Sequence, residues 1–352
     1  MRYAVVMAGG AGTRLWPAAT RAVPKQFQQL IFRAPLIVET IDRLATVYDR
    51  AHILVVTGER YADAIRAAVP DLSSENIIVE PFGRNTAAAI ALAAFAIAQR
   101  DPDGIFGVFP SDHVMLKPEA LFAALSYAVH LAMEHRVVDI GVPPNHPETG
   151  YGYIELGDPI GERDGQTAYR VERFVEKPNL ARAQSYLAAG NYIWNSGMFV
   201  WRASQYLEAL REHLPRTHEL LAAATAAGGQ ARLVAAYEQI ENISVDYAIM
   251  ERESDVVALS VDFGWRDVGD WAALYDLMQK DGAGNAGQGR HVTVDSEGML
   301  VLAGKKVVAT VGLRDLVVVE TDDVILILPR DRAQDVKALQ TQLEQDGLQD
   351  LL

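Results

Sequence analysis

The stretch of this chain best suited to chemistry is Met7-Ala8-Gly9-Gly10-Ala11-Gly12-Thr13-Arg14-Leu15-Trp16-Pro17. Glycines after an apolar run let backbone N–H groups approach an anion, and a helix beginning there adds a favourable dipole. A Walker loop would close on Gly-Lys-Ser/Thr, whereas Gly12-Thr13-Arg14 stands here. A dinucleotide fingerprint needs a third glycine where Leu15 stands. Arg14 and Lys25, the latter in Pro24-Lys25-Gln26-Phe27, are cations that could neutralise charge on a nucleoside triphosphate during phosphoryl transfer. The competing reading is a plain glycine turn flanked by solvated charges.

Such a loop needs a strand to deliver it. Residues 3–7, 53–57, 77–80 and 105–110 are short, continuous apolar runs of the kind found in a parallel sheet covered on both faces. Helical spacing over 36–47 and 61–69 predicts a doubly wound α/β sheet, whose ligand crevice lies beyond the carboxyl ends of the strands. That rule singles out the loops after Met7, Glu80 and Pro110. Strands are expected over 150–156, 169–176 and 197–201, and helices over 180–189 and 205–237. Residues 282–289, GAGNAGQG, predict a flexible linker. Short runs at 291–294, 299–302, 306–311, 316–320 and 324–328 predict a small β-solenoid or sandwich, and Asp331 an N-cap for a last helix. The expected division is a catalytic domain over 1–281 and a smaller domain over 290–352.

Composition narrows the class. The chain has 352 residues, 50% hydrophobic and 22% charged, which suits a real core and not disorder. Asp+Glu 46 against Lys+Arg 32 gives a net charge of −14, which argues against nucleic-acid and anionic-membrane partners but permits a local basic pocket. With no cysteine, disulfides, thiolate metal sites and cysteine nucleophiles are excluded. The opening residues lack a signal-peptide core, and the apolar stretch 87–98 falls short of the ~18–20 residues of a membrane span. It predicts a buried helix in a soluble, cytoplasmic protein.

GGAGTRLWP followed by PKQF resembles the signature of the sugar-1-phosphate nucleotidylyltransferases, and more narrowly of the mannose-1-phosphate guanylyltransferases. Further matches follow in family order: Glu80-Pro81, Arg84-Asn85-Thr86-Ala87, Pro110-Ser111-Asp112-His113, Gly150-Tyr151-Gly152-Tyr153-Ile154 and Phe174-Val175-Glu176-Lys177-Pro178. Asn195-Ser196-Gly197-Met198-Phe199 and Trp265-Arg266-Asp267-Val268-Gly269-Asp270-Trp271 complete the set. The resemblance reaches to about Tyr275, and the C-terminal β region is similar to the family's short solenoid. It implies an α/β, Rossmann-like doubly wound mixed sheet with a small C-terminal β-helix-like domain, in the short form without a phosphomannose isomerase domain. One departure is Ala88, where the family often has proline.

The activity implied is transfer of GMP from GTP to mannose 1-phosphate, forming GDP-mannose and pyrophosphate. Arg14 and Lys25 would be the catalytic charges, and Asp112 and Asp267 the ligands of Mg²⁺, with Mn²⁺ left open. Spacing alone leaves a helix cap for Asp112 and a turn-forming role for Asp267 as rivals. Ala8, Gly9, Gly10, Gly12, Thr13, Glu80, Asn85, Thr86 and Ser111 would bind the nucleotide. Glu80 is the candidate guanine reader, because a carboxylate matches the adjacent N1–H and N2–H₂ donors of that base. Gly152, Glu176, Lys177 and Asn195 would bind the sugar phosphate. The nucleophile is already an oxyanion, so no general base is expected, and no Ser-His-Asp arrangement is evident. Two alternatives stay open: a nucleotidylyltransferase of other base or sugar specificity, and a non-catalytic sugar-nucleotide-binding regulatory subunit. The apolar β region offers a surface for a homodimer.

Overall fold

Apolar runs bounded by turn residues become the strands of one large sheet in the computed structural model, which describes residues 2–10, 12–32 and 34–352. Ala11 of the glycine segment lies outside the described residues. The strands are β1 (Arg2–Met7), β2 (Ile53–Gly58), β3 (Ile77–Glu80), β4 (Ile105–Pro110), β5 (His113–Met115), β6 (Val137–Val142), β7 (Tyr153–Arg163), β8 (Gln166–Val175), β9 (Tyr192–Arg202), β10 (Val256–Ser260) and β11 (Trp265–Asp267). Nine of them form a sheet in the order β3-β2-β1-β4-β9-β6-β10-β8-β7, while β5 pairs with β11. β3, β2, β1 and β4 run parallel, and β9 lies antiparallel to both β4 and β6. The sheet is therefore mixed, as the resemblance implied.

Packing divides the chain into two compact units. The first comprises residues 1–9, 40–111 and 115–265, and the second 10–39, 112–114 and 266–352. Each unit thus gathers segments that are distant in sequence.

In the first unit, Ala4, Val5 and Val6 of β1 and Ile53, Leu54 and Val55 of β2 are fully buried. Each such Val, Leu or Ile is worth about 1.5–3 kcal/mol of burial. The helix Asn85–Arg100 buries Ala, Ile and Leu around most of its circumference, as a core helix does. The helical stretch expected over 205–237 is instead three helices, Ala203–His213, Pro215–Ala227 and Gln230–Tyr237. Pro215 can only start a helix, and Gly228 and Gly229 both adopt positive φ, so the chain breaks at each. Among the described residues no helix is long and apolar enough to cross a membrane.

In the second unit the strands are β12 (Ala286–Gln288), β13 (His291–Val294), β14 (Leu300–Leu302), β15 (Val308–Val311), β16 (Leu316–Glu320) and β17 (Ile325–Pro329). β12, β14 and β16 stack in parallel, as do β13 and β15, which are the rungs of a small β-helix that antiparallel β17 closes. Leu300, Leu302, Val317 and Val319 share one core with Leu15, Trp16, Val268 and Trp271, so the N-terminal signature segment is packed on the β-helix strands.

Two expectations are corrected in this unit. Residues 282–289 are not a loose linker, for Ala286–Gln288 are a strand. Buried Asn285 there donates from Nδ2 to the Ser296 carbonyl and accepts at Oδ1 from the Met299 amide. Asp331 is not an N-cap: it lies inside a 3₁₀ stretch, Arg330–Asp335, and the last helix begins only at Val336. Buried Ala333 anchors that extra turn in the core.

Candidate active site

In the second unit the glycine segment passes into a 3₁₀ turn at Thr13–Leu15, and a second such turn covers Lys25–Phe27. Gly12 sits at φ +59°, and a Cβ there would collide with Lys25 Cβ, so glycine answers both the backbone and the neighbour. Lys25 is 3% exposed. Its ammonium donates to Asp112 Oδ2 at 3.0 Å and to Asp267 Oδ1 at 3.1 Å. Asp112 precedes β5 and Asp267 ends β11, so the pairing of these short strands joins carboxylates 155 positions apart (267 − 112). The Arg14 guanidinium lies beside Gly269, 3.4 Å from where a Cβ on that glycine would stand.

Lys25 and Asp112 each favour the other's charged form. Burial pushes the Asp112 carboxyl up, but the Lys25 and His113 charges outweigh it and leave the group below the usual carboxylate range. Burial alone would lower Lys25, yet Asp112 and Asp267 hold it above its ordinary value. Two hard carboxylate oxygens converging on one cation form a donor set that fits a divalent ion such as Mg²⁺.

In the first unit Ala8 is pinned to β2: its amide donates to the Val56 carbonyl and its carbonyl accepts from Thr57 Oγ1. Glu80, at the end of β3, is 5% exposed. Its Oε1 accepts from the Tyr237 hydroxyl at 3.0 Å, and its Oε2 lies 3.6 Å from where a Cβ on Gly9 would stand. Burial pushes this carboxyl up to about 7, against the hydrogen bond from Tyr237. Asn85 holds a left-handed φ of +67° and accepts at Oδ1 from the Thr86 amide. Thr86 Oγ1 accepts from the Val245 amide at 2.9 Å, so that hydroxyl ties down the 243–246 segment. Ser111 is buried, with its amide on the Met7 carbonyl.

The residues read as sugar contacts gather elsewhere in this unit. Glu176 follows β8 and pairs with Lys177. Asn195 on β9 donates its amide to the Gly152 carbonyl, accepts at Oδ1 from the Gly197 amide and donates from Nδ2 to Asp246 Oδ1. A Cβ on Gly152 would collide with Glu176 Oε2, so this glycine makes room for the carboxylate. Asp246, which opens a short π-helical turn at Asp246–Met250, is absent from the sequence reading. So is Asp139, fully buried in β6, whose two carboxyl oxygens find no hydrogen-bond partner among the described residues. Burial raises Asp139, Glu176 and Asp246 above the usual range, and Asp246 also repels the other two. The signal for Asp139 is a single charge inside the apolar run Val137-Val138-Asp139-Ile140.

A mixed α/β sheet whose first strand ends in glycines and, separately, a buried lysine bridging two aspartates are consistent with a nucleotide-transferring class. The nucleotidyl transferase family model matches residues 3–284, and the model described as the MannoseP isomerase/GMP-like beta-helix domain matches 289–343. The chain belongs to the nucleotidyl transferase family and, within it, with the mannose-1-phosphate guanylyltransferases. A protein of that name from Escherichia coli K12 is 40% identical, over 98% of this chain and 74% of its own length. The xanthan biosynthesis protein XanB of Xanthomonas campestris pv. campestris (strain B100) is 41% identical, over 97% of this chain and 73% of its own. A solved structure from Thermus thermophilus, described as a mannose-1-phosphate geranyltransferase, superposes with a TM-score of 0.88 at 37% identity. That match covers 97% of this chain and 99% of the other.

Proposed function

We propose that the chain transfers GMP from GTP to mannose 1-phosphate, forming GDP-mannose and releasing pyrophosphate. The observation that carries this is buried Lys25 held between Asp112 and Asp267, in a chain 40% identical to a mannose-1-phosphate guanylyltransferase over nearly its whole length. A phosphate oxygen of the sugar phosphate attacks the α-phosphorus in line. The new Pα–O bond forms as the Pα–O–Pβ bond breaks, and the electron pair leaves with pyrophosphate. The attacking oxygen is already anionic, so the chain's task is positioning and charge stabilisation rather than proton abstraction.

In this scheme the backbone at Ala8, Gly9, Gly10, Gly12 and Thr13 cradles the nucleotide, and Arg14 and Lys25 stabilise charge that builds in the transition state. Glu80 reads guanine, with Asn85, Thr86 and Ser111 fixing the base and ribose. Lys177 pairs with the sugar phosphate, and Glu176, Asn195 and the Gly152 backbone meet sugar hydroxyls. Asp112 and Asp267 would hold Mg²⁺ or Mn²⁺, which when bound neutralises charge on phosphate oxygens. The reading carries with it a catalytic domain over 1–281, a β-helix-like domain over 290–352, a cytoplasmic setting that supplies GTP, and a homodimer.

Product analysis by chromatography and mass spectrometry tests it. Purified protein is mixed with mannose 1-phosphate, Mg²⁺ and, separately, GTP, ATP, UTP, CTP or dTTP. GDP-mannose appearing with GTP alone, and lost with EDTA, is the expected result. Product with another nucleotide moves the specificity, and tight GTP binding without turnover on any sugar phosphate favours a regulatory role.

A further inference from the structure

We infer that Tyr237 is a positioning residue for base selection, clamping the segment from Glu80 to Arg84 so that Glu80 meets the base in one orientation. The inference rests on Glu80 being the guanine reader. Tyr237 ends the helix Gln230–Tyr237, is fully buried, and reaches Glu80 across 157 positions of sequence. It engages the segment at three points. Its hydroxyl donates to Glu80 Oε1 at 3.0 Å. Its ring meets Phe82 edge to face, with centroids 5.8 Å apart at 89°. Its carbonyl accepts from Arg84 Nε at 2.7 Å, and the Arg84 guanidinium lies over the Phe82 ring at 4.9 Å. Arg84 and Phe82 therefore lock each other while both are held by Tyr237.

The consequence for recognition follows from carboxylate chemistry. A hydroxyl donating to Oε1 fixes the rotation of the group and favours its ionised form. Oε2 then faces the Gly9 side of the strand ends. Guanine offers two adjacent donors to such an acceptor, whereas adenine offers an acceptor at N1, which an ionised carboxylate repels. Without the tyrosine hydroxyl the carboxyl rotates and its buried position favours protonation, so both the attraction and the repulsion weaken. Tyr237 touches neither reacting phosphate in this scheme, so its loss acts on nucleotide affinity and not on the chemical step.

The test is steady-state kinetics of the wild type, Tyr237→Phe, Glu80→Gln and the double variant, with GTP, ITP and ATP at saturating mannose 1-phosphate. ITP keeps N1–H and lacks the 2-amino group. Tyr237→Phe is expected to raise KM for GTP about tenfold, the scale of one hydrogen bond to a charged group, with kcat within about twofold. It should also shrink the preference for GTP over ITP and ATP, and add nothing further in the Glu80→Gln background. Arg84→Lys, which removes the Nε donor and leaves Tyr237 and Glu80 in place, should move KM in the same direction by less, and it serves if Tyr237→Phe does not fold. Unchanged KM and unchanged preference in these variants, while Glu80→Gln loses selectivity, overturn the clamp. Unchanged preference in Glu80→Gln overturns the base-reader reading itself, and with it this inference.

Discussion

At Lys25 a buried ammonium answers two carboxylates, so removing it leaves Asp112 and Asp267 facing each other without their shared counter-charge and, in the proposed scheme, deletes a phosphate contact. Lys25→Ala is expected to lower turnover on the order of 10²–10³, the cost of one transition-state donor, measured as the initial rate of GDP-mannose formation. A near-wild-type rate would remove Lys25 from the scheme. Glu80 carries a pH consequence. Burial pushes its carboxyl up to about 7, so the ionised acceptor is present above that pH and is lost as pH falls through it. KM for GTP should therefore climb about tenfold from pH 8 to pH 6, and Glu80→Gln should flatten that limb. A flat profile in the wild type would separate Glu80 from binding. Glu80 and Glu176 can be singled out from the sequence because each stands in a short motif at the end of an apolar run, and Asn195 because its motif resembles the family's. Tyr237 and Asp246 cannot, because their partners Glu80 and Asn195 lie 157 and 51 positions away and no local spacing links them.

The 3₁₀ turn Thr13–Leu15 is too short to hold itself in place, and the end of the chain holds it. Gln340 Nε2, on the helix Val336–Gln345, donates to the Thr13 carbonyl at 2.8 Å, and Trp16 Nε1 donates to the Leu351 carbonyl at 2.7 Å. The small β-helix unit is in this sense part of the loop's support. Gln340→Ala should cost about 1 kcal/mol of loop order, roughly a fivefold fall in kcat with base preference unchanged. An unaltered kcat would show that the turn is held by its core residues alone. Elements with a strong local pattern, such as 77–80, 105–110, 180–189, 291–294 and 316–320, are legible from the sequence with the same bounds. Where pattern and breaker disagree the breaker wins, as at Pro215 and Gly228–Gly229. The strand Ala286–Gln288 escapes a local reading because its glycine and small residues mimic a linker until β14 pairs with it.

Across the molecule, the proposed homodimer is argued from apolar side chains left at the surface of the β-helix strands. Val292, Val294 and Val311 lie on one two-stranded sheet, and Ile325 and Ile327 on β17. Light scattering should return twice 38.5 kDa, and Ile327→Asp should shift the mass toward a single chain. A wild-type mass of 38.5 kDa would remove the dimer. The order of strands and helices in the first hundred residues, the glycine loop, the strand-end acids and most of the short C-terminal β runs were determined by the sequence alone, because apolar period and turn chemistry act over a few residues; that those runs stack with Ala286–Gln288 as β-helix rungs was not. The tertiary structure alone decided that Lys25 bridges Asp112 and Asp267 and that Tyr237 holds Glu80. Those are facts about which distant segments share a low-dielectric interior, where an unpaired charge is costly enough to dictate its neighbours.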